Sequence, residues 1–375
     1  MMKFQILQEN FAKALSISSR FVSTRAQLPV LSNIFLSAKK NRLTVASTNL
    51  EVSVSIDVGA KVEREGDITV PAKAINDLVS NLSQGTINVQ GEKEKLHIKA
   101  FNFSSSLLGM NASDFPSIPH SVGKNVIKLS KDDFIESLSY VLFSSSLDET
   151  RPVLTGILLI FNGKDLHLVS TDGFRLSRRR MSMDLKGKKE KEFRIILPKT
   201  SLSELSRLFS DYESIDFSYQ KGESQVVFGS QGSVLSSRTI EGDFPDFEKI
   251  IPKDKNYILS LDREDMLRAV KLASVFARDS ANVVRLKIKK NSVDFIAESS
   301  QAGSQENSVD AKVEFDSKDE ELEIAFNCRF LEDFLNSIKG NDINISLTDA
   351  NSPGLFTDSK DKEYIHLVMP VKLKD

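Results

Sequence analysis

The residues that could carry acid–base, metal or nucleophilic chemistry are few and scattered. No His-x-x-x-His spacing places two metal ligands on one helix face, because the four histidines lie far apart in the chain: His97, His120, His167 and His366. Cys328 is the only cysteine, which excludes an intramolecular disulfide and a cysteine-built zinc site. The glycine-lysine pairs beginning at Gly123 and Gly163 lack the other residues of a P-loop. We therefore expect no catalytic residues, no metal and no cofactor, although an enzyme of unknown type stays open as an alternative.

Length and charge narrow the class of protein further. The 375 residues exceed one ordinary domain, so more than one hydrophobic core is expected. Lysine and arginine number 50 against 52 acidic residues, a net charge of -2. A chain near neutrality lacks the strong phosphate attraction of a basic nucleic-acid binder. Any contact with DNA must then be local or topological.

The sequence indicates neither a secretion signal nor a membrane-spanning segment. The N-terminal stretch carries four polar residues where a signal peptide is apolar: Gln5, Gln8, Glu9 and Asn10. The longest apolar run, residues 153–161, is interrupted by Thr155 and Gly156 and is shorter than the roughly 20 residues of a membrane span. Together with the single cysteine, this favours a cytoplasmic protein.

An internal repeat at domain scale organises these elements. A helical apolar pattern begins three times and continues four residues later on the same helix face, at Phe11 and Leu15, Phe134 and Leu138, and Met266 and Val270. Ser130 and Asp262 stand as N-caps before the second and third patterns, whereas Leu7 occupies that position in the first. The three patterns predict helices over 8–22, 130–146 and 262–278.

A second helix recurs behind Pro71, Pro198 and Asn327, over 72–82, 198–209 and 327–339. Its core-facing positions match in all three copies: Ile75, Leu78 and Leu82; Leu202, Leu205 and Phe209; Leu331, Phe334 and Ile338. Runs typical of strands precede and follow it in each copy: 43–49, 166–172 and 293–299 before it, 86–89, 214–217 and 342–346 after it. Each copy therefore alternates strand, helix and several strands, twice.

This order predicts an α+β fold of three similar, internally duplicated domains, with sheets on one side and two helices on the other in each. The links 118–124 and 251–256 contain proline and charged residues, as exposed linkers do. We place the domains at 1–120, 126–252 and 257–375.

The most distinctive short motif is Thr171-Asp-Gly-Phe-Arg-Leu176, an Asp-Gly turn between two strands. Taken by itself, the motif is equally compatible with an ordinary hairpin that has no function. Together with the repeat, the segment 244–252 (FPDFEKIIP) and the C-terminal run 364–373 (YIHLVMPVKL), however, the chain resembles the bacterial DNA polymerase III beta subunits, the sliding clamps, from end to end.

The resemblance implies a head-to-tail homodimeric ring of six like domains, with helices lining the hole and sheets outside. It implies a non-catalytic processivity factor that encircles duplex DNA without sequence preference. The implied protein partners are the polymerase III alpha subunit, the clamp loader, and other polymerases and repair proteins with clamp-binding peptides. A repeat-built scaffold that binds proteins but never encircles DNA is the alternative.

In the family, partner peptides insert apolar anchors into a pocket between the middle and last domains. The matching residues here are Leu154, Thr171, Gly173, Phe174, Arg175, Leu176, Pro245, Lys249, Ile250, Val368, Met369, Pro370 and Val371. We expect Arg175 and Lys249 to meet peptide carbonyls or carboxylates at the rim. Phe174 departs from the histidine that many relatives carry, which implies a lost polar contact and a shallower pocket.

The resemblance also suggests residues for the hole and for the dimer contact. The candidates for the DNA-facing surface are Arg25, Lys73, Lys199 and Arg278. The candidates for the dimer interface are Leu107 and Leu108 in the first domain and Val275 and Phe276 in the third. The predicted helices as a set are slightly positive and the rest of the chain is negative, a small bias in the direction that a DNA-lined hole requires.

Overall fold

The computed structural model describes residues 2–23, 28–183, 192–316 and 321–372. Helices α1 to α8 in these segments are Gln8–Ser18, Ala72–Ser80, Lys131–Ser139, Pro152–Thr155, Lys199–Ser203, Leu205–Leu208, Arg263–Ala277 and Cys328–Ser337. Strands β1 to β9 are Met2–Leu7, Asn33–Lys39, Arg42–Thr48, Val52–Gly59, Lys61–Arg64, Gly66–Pro71, Thr86–Glu92, Lys95–Ala100 and Phe103–Leu108. Strands β10 to β17 are Ile127–Ser130, Gly156–Asn162, Asp165–Thr171, Arg175–Ser182, Phe193–Pro198, Ser214–Gln220, Gln225–Ser230 and Ser233–Arg238. Strands β18 to β25 are Tyr257–Asp262, Val283–Ile288, Ser292–Ser299, Gly303–Phe315, Leu322–Asn327, Asp342–Leu347, Gly354–Asp358 and Tyr364–Val368.

Apolar periodicity and capping place the helices where the sequence predicts them. The side chains that define the first helix of each copy are all buried: Phe11 and Leu15, Phe134 and Leu138, Met266 and Val270. The Asp262 carboxylate accepts a hydrogen bond from the Asp265 amide at 2.9 Å, which confirms the predicted cap of α7. Leu7 supplies no side-chain cap to α1, also as predicted.

Three helices differ from the prediction: α1 ends at Ser18 and is followed by a 3-10 turn, Ser19–Phe21, and the two helices of the middle copy are interrupted at segments that contain serine. The helix predicted over 130–146 ends at Ser139, whose hydroxyl donates to the Glu136 carbonyl at 2.6 Å. A short 3-10 turn, Leu142–Ser144, follows it. The helix predicted over 198–209 divides into α5 and α6 around Glu204. Serine hydroxyls compete with the helical backbone for hydrogen bonds, so serine-rich segments make poor helix interiors.

All six predicted strand segments are confirmed, as β3, β12 and β20 before the second helix and β7, β15 and β23 after it. Each of the three copies therefore contains its two predicted helical regions and several antiparallel strands, and the middle copy adds the short helix α4. This confirms the predicted α+β class and the internal repeat. The second helix of the first copy fits least well, because Val79 is buried there while Leu78 and Leu82 are half-buried.

Contacts divide the chain into two compact units, of which unit 1 comprises Met1–Asp132 and Thr200–Thr239. It contains a five-stranded sheet in the order β5-β1-β7-β8-β9 and an eight-stranded sheet in the order β10-β15-β16-β17-β4-β3-β2-β6. Helix α1 packs on α2 and on β4, which covers the apolar side of these strands. Strand β17 pairs antiparallel with β4, so the eight-stranded sheet runs from the first repeat into the second.

Unit 2 comprises Asp133–Lys199 and Ile240–Asp375. Its twelve strands run in the order β14-β11-β12-β13-β25-β24-β23-β18-β21-β20-β19-β22. Helix α7 packs on α8 and against β20 and β21. Here β13 of the middle repeat pairs antiparallel with β25 of the last, as β17 pairs with β4 in unit 1. Repeats are thus joined by shared sheets.

Candidate functional site

Side chains of the turn between β12 and β13 fix its conformation through hydrogen bonds to its own backbone. The Asp172 carboxylate accepts hydrogen bonds from the amides of Phe174 and Arg175, at 2.9 and 3.0 Å. The Thr171 hydroxyl accepts from the Gly173 amide at 3.0 Å and donates to the Arg175 carbonyl at 2.6 Å. Gly173 has a φ of +93°, which glycine adopts without strain. The result is a rigid turn that leaves the Phe174 side chain 61% exposed.

Strand β25 brings the C-terminal run to this turn. Arg175 lies opposite Val368, and Leu176 lies opposite Leu367. The Met369 amide then donates to the Phe174 carbonyl at 2.8 Å. Leu176 and Val368 are buried, and Met369 is 38% exposed. Leu176 and Leu367 face the same side of the sheet, so the middle and last repeats share one apolar surface there, next to exposed Met369 and Phe174, whereas Val368 lies on the other side with Arg175.

A third segment, residues 244–251, packs against the same surface. Leu176 shares a buried apolar cluster with Phe247 and Leu367, and Phe244 packs against that cluster. Pro245, Lys249 and Ile250 are exposed beside it. The cluster is the floor of the candidate site, and these exposed residues lie at its margin.

Lys249 is an exposed charge at the margin of the candidate site. Its ammonium lies 2.8 Å from the Asp246 carboxylate, and this hydrogen bond raises the pKa of Lys249 and lowers that of Asp246. The Lys249 side chain is 81% exposed, so solvent screens the pair and the ammonium stays accessible.

Three further predicted pocket residues have less direct placements. Leu154 is buried, next to Val153, which packs against the apolar cluster. Pro370 and Val371 are half-buried, and the Val371 amide donates to the Ala325 carbonyl at 2.8 Å. Their contribution to a peptide site stays a prediction.

The rim role expected of Arg175 is corrected by the structure. Its side chain is only 10% exposed, and Nε donates to Asp172 at 3.0 Å. Nη1 donates to Asp333 at 2.5 Å and Nη2 to the Phe143 carbonyl at 2.7 Å. The guanidinium also lies 4.5 Å from the centre of the Phe330 ring. Arg175 therefore holds the turn to helix α8 and has little capacity left for a peptide.

Sequence reasoning missed the residues behind the surface. Phe247, Leu355 and Leu367 form the floor, and Phe330 and Asp333 hold Arg175. Leu367 stands two residues before the predicted Met369, so alternation along the chain was the available signal for the floor. No local signal marks Asp333, which lies 158 residues from its partner.

The predicted DNA-facing cations have different environments. Lys73 is exposed in the first turn of α2, and Arg278 is exposed at the C-terminal end of α7. Lys199 is half-buried, and burial and then Arg175 lower its pKa while Asp333 opposes them. Lys199 is thus less available to phosphate than predicted. Arg25 lies outside the described residues.

The predicted dimer residues lie on two exposed apolar features. Strand β9 is an edge strand of the five-stranded sheet, with Leu108 71% exposed and Leu107 half-buried. On helix α7, Val275 is 55% exposed and Phe276 is half-buried. Leu272, one turn earlier and 47% exposed, extends this apolar face. An exposed edge strand is satisfied by pairing with another strand, and an exposed apolar helix face is satisfied by packing against another surface.

No group of three or more metal-ligating side chains occurs in the described segments. Within the same segments, every helix is too short or too polar to cross a bilayer.

Family models match nearly the whole chain in three consecutive parts. They describe the N-terminal, central and C-terminal domains of the DNA polymerase III beta subunit, at residues 2–119, 128–246 and 248–372. The chain belongs to the DNA polymerase III beta subunit family. The beta sliding clamp of Synechococcus elongatus is 30% identical, with 100% of both chains covered. That of Bacillus subtilis is 27% identical, over 99% of this chain and 100% of the relative.

Solved structures of DNA polymerase III beta subunits share the fold. The DNA polymerase sliding clamp of Bacillus subtilis superposes with a TM-score of 0.93 at 25% identity, covering 100% of both chains. A Pseudomonas aeruginosa clamp bound to griselimycin gives a TM-score of 0.91 at 25% identity, over 99% of this chain and 100% of that one. The predicted three-domain clamp fold is confirmed.

Behind the candidate site, this member of the beta subunit family buries an uncharged histidine. His366 is fully buried on β25, and its Nδ1 lies 2.8 Å from the Ser177 hydroxyl. Nε2 has no hydrogen-bond partner, and the ring stacks on Phe334 at 5.4 Å. Burial, and secondarily Arg175, lower the pKa of His366 to about 3.

We expect this buried histidine to make the protein less stable in mild acid. Below pH 6.5 the histidine becomes protonated in the unfolded chain, whereas in the folded chain it stays neutral down to about pH 3. The free energy of unfolding therefore falls as the pH falls from 6.5 towards 3. At pH 5 the loss is about 2 kcal/mol, from one and a half pH units of linkage.

We expect His366→Phe to reduce the decrease in melting temperature between pH 7 and pH 5, whatever its effect at pH 7. Ser177 keeps a partner in the Ser144 hydroxyl at 2.7 Å, so the change orphans no hydroxyl. Thermal unfolding at both pH values measures the effect, with the half-buried His97→Phe as control. An undiminished decrease in His366→Phe would contradict the assignment.

Proposed function

We propose that this chain is a DNA sliding clamp, a non-catalytic processivity factor that encircles duplex DNA. The observation that carries the proposal is the convergence of the 171–176 turn, the 244–251 segment and β25 on one apolar surface, in a chain that matches the beta subunit family throughout. Such a surface suits an extended peptide with apolar anchors. We assign it to clamp-binding peptides of the polymerase III alpha subunit, the clamp loader, and other polymerases and repair proteins.

The proposed assembly is a cytoplasmic head-to-tail homodimer closed into a ring, with helices towards the hole and sheets outside. Edge strand β9 offers unpaired backbone groups beside exposed Leu108, and α7 offers the apolar face of Val275 and Leu272. Pairing of β9 with a strand of the third domain of a second copy would cover both features. A ring retains DNA by encirclement, so the near-neutral charge of the chain is compatible with mobile, weak contacts.

Retention on circular DNA tests the proposed ring directly. The protein is loaded on a nicked circular plasmid by a clamp loader and separated from free protein by gel filtration. We expect it to stay with the circle and to leave when a restriction enzyme linearises the plasmid. Equal retention on both forms, or none on either, would favour a scaffold that never encircles DNA.

The DNA-facing residues are tested by removing their charge. We expect replacement of Arg25, Lys73, Lys199 and Arg278 by Ala to weaken contact with open duplex DNA and to flatten its salt dependence. Half-buried Lys199 should contribute least, so restoring it alone should change little. The measurement is DNA affinity against salt concentration, with sedimentation as control for the dimer. Identical salt slopes would remove these residues from the hole.

A further inference from the structure

Unit 1 contains a second copy of the turn that builds the candidate peptide site. In the β3–β4 turn, the Thr48 hydroxyl accepts from the Leu50 amide and donates to the Val52 carbonyl, both at 3.0 Å. The Asn49 side-chain oxygen accepts from the amides of Glu51 and Val52, at 3.1 and 2.8 Å. Each bond has its counterpart in the 171–175 turn, in the same order.

The strand that completes the site is also duplicated. The Arg238 amide, at the end of β17, donates to the Glu51 carbonyl at 2.8 Å. The Met369 amide, just after β25, donates to the Phe174 carbonyl at the same distance. Glu51 therefore takes the place of Phe174, and Arg238 takes the place of Met369.

A groove lies at this second turn. A cavity of about 560 Å³ is lined by the turn, by β17 and by the 116–119 segment, which lies near the end of the first repeat as 245–248 lies near the end of the second. A neighbouring cavity of about 520 Å³ shares Pro116, Ser117 and Ile118 with it. Both cavities lie wholly within unit 1.

The groove has the backbone of the candidate peptide site but different side chains. Glu51 and Arg238 line it, and within the described residues neither forms an ion pair. Ser53, Ser236 and Gln225 add hydroxyl and amide groups to its wall. One acid and one base are thus available to ligand groups of opposite charge.

Leu50 supplies an apolar contact at the mouth of the groove. It is 51% exposed and has a φ of +75°, a left-handed conformation that is costly for leucine. Gly173 takes the equivalent position in the other turn, with a φ of +93°. The bonds of Thr48 and Asn49 hold Leu50 in this conformation. Strain of this kind is typical of binding sites.

We propose that this groove is a second peptide-binding site, specific for an extended segment in which a basic and an acidic residue flank an apolar one. The basic group pairs with Glu51, the acidic group with Arg238, and the apolar side chain packs on Leu50. The site differs in chemistry from the apolar surface at Met369, so one clamp can hold two kinds of peptide at once.

The test uses the full-length dimer and a fluorescein-labelled peptide, Gly-Ser-Lys-Leu-Asp-Ser-Gly, followed by anisotropy. We expect saturable binding that is about five-fold weaker in Arg238→Glu, and similarly weaker when the peptide carries Gln and Asn in place of Lys and Asp. Lys221→Glu, an exposed charge reversal in the same unit outside the groove, should leave the affinity unchanged.

Two further measurements separate this site from the other. Met369→Lys should not alter binding of the mixed-charge probe, whereas Leu50→Ser should weaken it. The proposal is overturned if the probe does not bind saturably, or if Lys221→Glu and Arg238→Glu weaken it equally.

Discussion

Met369→Lys is expected to abolish binding of a fluorescent clamp-binding peptide that ends in Leu-Phe. Such a peptide gains roughly 1.5–3 kcal/mol for each apolar anchor that it buries, before ordering costs, which gives micromolar affinity. An ammonium on the apolar surface beside Phe174 removes much of this gain, because a buried unpaired charge is costly. We expect the dissociation constant to rise at least a hundredfold, measured by anisotropy titration.

The same variant should leave the fold intact. Met369 is 38% exposed, so the lysine can reach solvent when no peptide is bound. The bond from residue 369 to Phe174 uses only backbone atoms and survives the change. Leu147→Lys is the matched control, since Leu147 is an apolar residue of the same unit that is 88% exposed. Equal peptide affinities for Met369→Lys and the wild type would refute the assignment of the pocket.

Phe276→Glu is expected to convert the dimer to monomers. Burial of an unpaired carboxylate at each of the two proposed contacts costs on the order of 3 kcal/mol per contact, more than a hundredfold in dissociation constant. Sedimentation equilibrium across a concentration series gives the shift. The monomer should still bind the Leu-Phe peptide, because the turn, the 244–251 segment and β25 belong to one chain.

Phe276 is half-buried within its own chain, so a more exposed variant guards against simple misfolding. Val275→Glu alters a side chain that is already 55% exposed, and Leu108→Glu alters one that is 71% exposed on β9. Both should dissociate the dimer as Phe276→Glu does, while Leu147→Glu should not. A dimer that persists in both Val275→Glu and Leu108→Glu would exclude this interface.

Short-range patterns in the sequence were sufficient to predict where the main helices and strands lie. The i, i+4 apolar pairs, the Asp262 cap and the alternating runs predicted helices and strands that the structure confirms. The breaks after Ser139 and at Glu204 were missed because apolar periodicity continues through them. Periodicity reports which face is buried and not whether the backbone hydrogen bonds are continuous.

The candidate site was only partly predictable, because its side chains depend on distant partners. The turn at Gly173 follows from the local Asp-Gly signal, whereas Leu176 and Val368 were assigned to the site only through the family resemblance. The inward orientation of Arg175 depends on Asp333, and the partial burial of Lys199 places it near the same pair. The charge of a residue shows that it will pair with an opposite charge. Whether that opposite charge belongs to a ligand or to the protein itself depends on the fold.

The pairing of β4 with β17 and of β13 with β25 also determines how the chain can be divided. Cleavage in the 118–124 or 251–256 link separates two repeats along the chain, but strands of both repeats still belong to the same sheet. A repeat expressed alone would present a long open strand edge where its neighbour belongs, and such edges drive aggregation. The smallest stable pieces of this protein should therefore follow the shared sheets, and separation of the repeats should yield insoluble material.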